Sequence, residues 1–146
     1  MELIPILATI EGNKHFADHP DCQDSLYFTI DFYKKVGYNP PWIGYYAVDE
    51  EGQIVAMAAF KGKPLNNQIQ IAFCTIERFQ QKGIGTQVCR LLVNKALETD
   101  PSVLITARTL PEKNFSTRIL EKNNFHFKGI VDDPEDGEVW EWVYSK

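Results

Sequence analysis

Alternating and helical spacings of apolar residues divide the chain into strands and helices in a definite order. Leu3 to Ile10 reads as a first strand. From Asp24 to Val36, Leu26, Ile30 and Tyr33 recur three and four apart, as on one buried helix face, and Gly37 is placed to end that helix. Asn39-Pro40-Pro41 then interrupts regular structure. Trp42 to Val48 and Gln53 to Phe60 are strand-like runs joined by Asp49-Glu50-Glu51-Gly52, a hairpin turn. Gln68 to Ile76 alternates cleanly, with Ile69, Ile71, Phe73 and Thr75 on one face and Gln68, Gln70, Ala72 and Cys74 on the other.

A second, longer helix carries Ile84, Val88, Leu91, Leu92 and Ala96 on one stripe, the pattern of a helix lying on a sheet. Val103 to Ala107 is a short apolar run suited to a central strand covered on both faces. Pro111-Glu112 suits the first turn of another helix reaching Lys122. Phe125 to Val131 and Glu138 to Tyr144 flank Asp132 to Gly137, whose Asp-Gly ending predicts an antiparallel hairpin. The order strand, helix, three-strand meander, helix, strand, helix, hairpin predicts a mixed α/β fold with helices on both faces of a partly antiparallel sheet.

Composition narrows the function. A chain of 146 residues is the size of one domain, and 44% hydrophobic residues fit a soluble globular protein. No apolar run is long enough to span a bilayer, and the first residues, Met1 to Pro5, lack the features of a signal peptide, so a cytoplasmic location is expected. Cys22, Cys74 and Cys89 are widely spaced, and His15, His19 and His126 are scattered, which argues against a disulfide framework and against a metal site. Cys74 and Cys89 read as buried fillers. Fifteen basic against twenty acidic residues argue against a nucleic-acid partner and favour attraction of cationic molecules such as amines.

The strongest chemical signal is Gln80-Gln81-Lys82-Gly83-Ile84-Gly85-Thr86, at the entry to the long helix. Two glycines there let the backbone approach a ligand closely. The unpaired amides and dipole of a helix start favour a phosphate or pyrophosphate. A dinucleotide fingerprint would need a small residue where Val88 stands, and a P-loop would need Lys-Ser/Thr where the chain has Thr86-Gln87. A tight strand-to-helix turn without a ligand is the bland alternative.

Gln80-x-x-Gly83-x-Gly85 matches the Q/R-x-x-G-x-G/A signature of the GNAT superfamily of acyl-CoA N-acyltransferases. Thr109 to Phe125, with Pro111-Glu112, Asn114, Ser116 and the run Arg118-Ile119-Leu120-Glu121-Lys122, resembles the superfamily's second motif. It looks most like the ribosomal-protein-acetylating branch, as do Ile71-Ala72-Phe73 with Thr75 and the closing Asp133 to Trp142. The resemblance covers roughly residues 42 to 146. It implies one acyl-CoA N-acyltransferase domain over residues 1–146, with a GNAT-type mixed, mostly antiparallel sheet of six or seven strands flanked by helices.

It also implies acetyl-CoA as cosubstrate, no metal, and transfer to a primary amine, on a protein or a small molecule, by a monomer or homodimer. The backbone of Phe73, Cys74 and Thr75 would pair with the pantetheine arm. The amides of Gln81, Lys82, Gly83, Ile84, Gly85 and Thr86 would cradle the pyrophosphate, with the Lys82 charge at its mouth. Asn114 and Ser116 would meet the pantetheine or its sulfur, although as helix-start residues they could instead cap orphan amides. Many relatives have a tyrosine acid where Leu120 stands and a glutamate where Gln70 stands. Ser116 is then the nearest polar candidate for the leaving thiolate, and a silent acyl-CoA-binding domain is the alternative. Glu77 and Glu112 could each act through water, but Glu77 reads first as a solvated loop acid and Glu112 as a complement to a helix dipole. Tyr27, Tyr33, Trp42, Trp140 and Trp142 are candidates for an acceptor pocket or for sheet packing, and Asp132 to Asp136 for a cation-attracting turn.

Overall fold

In the computed structural model, which describes residues 1–146, the chain runs β1 (Glu2–Pro5), α1 (Lys14–Ala17), α2 (Gln23–Val36), β2 (Gly44–Val48), β3 (Ile54–Phe60) and β4 (Gln68–Thr75). It continues through α3 (Ile84–Thr99), β5 (Leu104–Thr109), α4 (Phe115–Lys122), β6 (Phe125–Asp133) and β7 (Gly137–Tyr144). All seven strands join one sheet in the order β1-β2-β3-β4-β5-β7-β6. Only the central pair β4–β5 is parallel. The mixed, mostly antiparallel sheet expected from the sequence is therefore the architecture observed.

Neighbouring tyrosines of β2 show how the helices divide between the faces. The Tyr46 hydroxyl lies 2.7 Å from Ser25 Oγ and donates to the Cys22 carbonyl at the start of α2. Tyr45 points the other way, and Lys95 Nζ of α3 sits 5.2 Å from its ring centroid. Alternation along a strand thus puts α2 on one face and α3 on the other. Helix α2 stops at Gly37, whose amide bonds the Tyr33 carbonyl at 2.8 Å. Helix α3 buries Val88, Leu92 and Ala96, together with Cys89 and Val93. Ile84 and Leu91, expected on that stripe, are only half-buried, so the buried face is turned from the predicted one. Each fully buried aliphatic side chain here contributes about 1.5–3 kcal/mol.

Two predicted boundaries move furthest. The first strand was expected to reach Ile10, but β1 ends at Pro5. Buried Asn13 captures the chain beyond it: its Oδ1 accepts from the Leu7 amide, and its Nδ2 donates to the Leu7 and Thr9 carbonyls. Those backbone groups leave the sheet for a side chain, and the short α1 follows. The helix expected from Pro111-Glu112 begins at Phe115. Asn114 caps it, accepting from the Thr117 amide at 3.1 Å, while Thr117 Oγ1 accepts from the Asn114 amide at 2.9 Å. This reciprocal box fixes the start three residues later. Glu112 accordingly lies in the preceding loop, not in a first turn where it would meet the dipole.

Candidate functional site

The β4–β5 ladder runs only from Gln68↔Leu104 to Ile71↔Ala107. Past that point β5 continues against β7, with Arg108 opposite Glu141 and Thr109 opposite Trp140. β4 continues against β3, with Phe73 opposite Ala58 and Thr75 opposite Ala56. The two central strands therefore part. The Gln70 carbonyl and the Ile76 amide bond toward β3, so the two-residue period turns the main chain of Phe73 and Thr75 toward the gap. An extended chain finds there a strand edge without a partner.

The segment after β4 delivers the second component. Gln80 Nε2 donates to the Thr75 carbonyl at 3.2 Å and ties the loop to the end of the strand. Gln81 and Gly83 both adopt left-handed backbone, with φ of 63° and 80°. Turns of this hand gather successive amides into an anion-binding concavity. None of the amides from Gln81 to Thr86 finds an acceptor in the protein; the first helical bond runs from Gln87 to the Gly83 carbonyl. Six consecutive donors at the positive end of a 16-residue helix form a site for negative charge.

The two glycines differ in what they do. A Cβ on Gly83 would meet nothing within 4 Å, and its constraint is the positive φ. A Cβ on Gly85 would come within 2.5 Å of Ile119 Cδ1 and 3.3 Å of Thr75 Oγ1. Gly85 thus lets α3 approach α4 and β4 without displacing Ile119, a packing reason the sequence reading did not supply.

The gap, the loop and α4 enclose a cavity of about 310 Å³. Of the residues expected to bind a cofactor, Phe73, Cys74, Thr75, Gln81, Gly83, Gly85 and Thr86 line it, and so does Ser116. The Lys82, Ile84 and Asn114 side chains lie outside the lining; Asn114 is engaged in the helix cap and Lys82 Nζ lies 5.8 Å from the Phe79 ring centroid. Arg118 and Lys122 line the cavity as well and were not anticipated. Phe115, Arg118, Ile119 and Lys122 recur three and four apart, so the spacing of this face was present in the sequence. Two cations beside the amides add to the attraction for an anion.

A second cavity of about 230 Å³ lies across β4 and shares Phe73 and Cys74 with the first. Phe28, Phe32 and Tyr33 of α2, Met57 of β3 and Glu135 of the β6–β7 turn form part of its wall. Cys74 is exposed rather than the buried filler expected, because it sits where the two hollows meet; Cys89 is buried, and burial pushes its thiol up to about 12. The Tyr33 hydroxyl donates to the Ile6 carbonyl and accepts from the Gly44 amide, both at 2.8 Å, and its burial raises its pKa, so this phenol stays neutral. Trp140 and Trp142 line neither cavity. Trp142 is buried, with Nε1 donating to Thr109 Oγ1 at 3.0 Å, and Trp140 packs on Phe127. Trp42 likewise packs edge-on against Phe60.

Bidentate contacts from Arg78 to Asp21, at 2.6 and 3.2 Å, tie the turn after β4 to the segment before α2. The Arg78 guanidinium holds the Asp21 carboxyl below the usual carboxylate range. The elements flanking the two cavities are thereby linked from opposite faces of the sheet.

The chain is similar over 71% of its length to the aminoglycoside acetyltransferase AAC(6')-Ib solved in complex with coenzyme A, at 24% identity and a TM-score of 0.61. It spans 66% of that chain, less than two thirds of its length. A chimera of the spermidine N-acetyltransferase SpeG from Vibrio cholerae and hSSAT matches over 99% of this chain and 95% of its own, with 11% identity and a TM-score of 0.72. A GNAT-family protein from Bordetella pertussis matches over 98% and 94%, with 16% identity and a TM-score of 0.69. At such identities these structures speak for the fold. No curated protein matches the chain by sequence. The family model described as acetyltransferase (GNAT) family matches residues 6–125. With most of its length covered by that match, this chain belongs to the acetyltransferase (GNAT) family.

Proposed function

We propose that this chain is a cytoplasmic N-acetyltransferase that moves an acetyl group from acetyl-CoA to a primary amine by direct attack on the thioester. The observation that carries the reading is the meeting of two cavities at Phe73 and Cys74. One offers an unpaired strand edge that ends in six free amides, and the other opens on the far side of the same strand. A long donor with a diphosphate and an amide-containing arm fits the first, because both of its recognition elements are matched by main-chain groups. Family membership and the coenzyme A complex of the aminoglycoside acetyltransferase support the same cosubstrate.

The amides of Gln81, Lys82, Gly83, Ile84, Gly85 and Thr86 would hold the pyrophosphate, aided by Arg118 and Lys122. Phe73, Cys74 and Thr75 would pair with the pantetheine arm, and Asn114 would keep α4 in place beside it. Acetyl-CoA, when bound, supplies an activated acetyl thioester. The nitrogen–carbon bond to the acceptor forms as the carbon–sulfur bond breaks, the amine gives its proton to water, and the thiolate gains a proton or is held by hydrogen bonds. A main-chain N–H of the open β4 edge would stabilise negative charge at the thioester oxygen. Ser116, at the start of α4, would orient the sulfur or a water beside it. Leu120, buried and apolar, cannot serve as an acid. The resemblance of residues 109–125 and 133–142 supports kinship with the ribosomal-protein-acetylating branch.

The test is release of CoA thiol from acetyl-CoA across a panel of amines, with calorimetry of acetyl-CoA binding alongside. Turnover above background hydrolysis is expected. Tight binding with no transfer to any amine would favour a silent acyl-CoA-binding domain, and absence of binding would end the reading.

A further inference from the structure

We infer that the acceptor is a small monoamine carried on a compact apolar body, and that Glu135 is the counter-charge that docks its ammonium group. The inference rests on the transferase reading and concerns the second cavity. Ten of the fourteen residues lining that cavity are hydrophobic, among them Phe28, Phe32, Met57 and Phe60. Its only charged lining residues are Glu135 and Lys61. At about 230 Å³ it is smaller than the roughly 300–1,000 Å³ of most small-molecule pockets.

The position of Glu135 is built into the hairpin. Asp133 Oδ1 accepts from the amides of Glu135 and Asp136 at 2.9 and 3.2 Å, while its Oδ2 accepts from Arg108 Nη1 at 2.9 Å. The Glu135 amide, then Arg108 and the Asp136 amide, hold the Asp133 carboxyl below the usual carboxylate range, so the anchor remains ionised. The turn is therefore pinned to β5, beside the gap, and carries Glu135 to the cavity wall formed by α2 and β3. A carboxylate at a mostly apolar hollow attracts one cation. Within the hollow, a polyamine or an aminoglycoside would find no second acid for its other ammonium groups, and Lys61 would repel them. A monoamine would gain one ion pair and bury its carbon skeleton against Phe28, Phe32 and Met57. The apolar surroundings disfavour the ammonium form while the Glu135 ion pair favours it, and the nucleophile becomes neutral by losing its proton to water. The cavity floor at Phe73 and Cys74 is shared with the first cavity, which brings such an amine to the far side of the strand edge.

The experiment measures CoA thiol release with 2-phenylethylamine, spermidine and a short peptide with a free N-terminus, for the unaltered protein and Glu135→Gln. The arylalkylamine is expected to have at least tenfold higher kcat/KM than either competitor. Glu135 is exposed at the rim of the hollow, so Glu135→Gln should raise the arylalkylamine's KM about threefold, the worth of one solvent-screened ion pair, with kcat little changed. Competitive inhibition by 2-phenylethanol, which carries no charge, should be the same in both proteins, and so should acetyl-CoA affinity, which also reports that the variant is folded. A preference for spermidine or the peptide, or an unchanged KM in Glu135→Gln, overturns this inference and leaves the transferase reading standing. Failure of every amine to release CoA overturns both.

Discussion

The two cavities share a wall and are made of different material. The first is built from main chain: the open edge at Phe73 and Thr75 and the run of unpartnered amides from Gln81 to Thr86. The second is built from side chains that meet from α2, β3, β4 and the β6–β7 turn. A main-chain site depends on backbone conformation, so it tolerates many side chains and leaves its trace in glycines. A side-chain site can change ligand by exchanging a few residues while the sheet stays the same. The contrast suits a proposed reaction with an invariant donor and a variable acceptor, and it can be broken at several points.

The largest expected effect is at the cradle. Gly83→Val places a β-branched residue at φ of 80°, where L-residues are strained, without colliding with any neighbour. The backbone should leave that conformation and turn its amides away, weakening acetyl-CoA about a hundredfold by calorimetry, since each charge-assisted bond contributes roughly 1.5–3 kcal/mol. Gly85→Val separates packing from binding. Its new methyls must displace Ile119, so urea denaturation should show a loss of about 1–3 kcal/mol, with a smaller fall in acetyl-CoA affinity than Gly83→Val. Equal behaviour of the two variants would erase the distinction drawn between them.

Next in size, Ser116→Ala should slow turnover about tenfold while acetyl-CoA affinity stays within about twofold, as expected for one hydrogen bond made near the reacting sulfur. A fully active variant would remove Ser116 from the mechanism. Asn114→Ala removes the capping box and should cost about 1 kcal/mol of stability, read from the urea midpoint.

How much of this was legible in the sequence follows the same division. The start of α3 was legible because Gly83 and Gly85 mark a backbone event, and α2 because Leu26, Ile30 and Tyr33 repeat at helical spacing. The succession of strands along the chain was legible from alternation and from the turns at Asp49 to Gly52 and Asp132 to Gly137. The parting of β4 from β5 was not, because register between strands so far apart in sequence leaves no local pattern. The late start of α4 was hidden because Asn114–Thr117 competes with Pro111-Glu112 as a start signal, and only the reciprocal bonds decide between them. Asn13 shortened β1 through three side-chain bonds that no periodicity records. The second cavity draws Phe28, Met57 and Glu135 from distant segments, so only the fold brings them together.

The smallest expected effect lies in the link between the two flanks. Because Arg78 depresses the Asp21 carboxyl in the folded protein, the pair favours folding above the ordinary carboxylate pKa of about 4 and ceases to as pH falls through the lower folded value. Arg78→Ala should therefore leave a slightly shallower fall of stability below about pH 4 in pH-dependent thermal melts. At pH 7 the change should be slight, since Arg78 is largely exposed and solvent screens the pair.

The central claim, that main-chain amides at the entry to α3 hold a diphosphate, is tested most directly by ¹⁵N–¹H spectra of the labelled protein titrated with coenzyme A. The amide resonances of Gln81 to Thr86, the two glycines prominent among them, should shift most and saturate together with binding. Saturation that moves resonances elsewhere while those six stay in place would contradict the account.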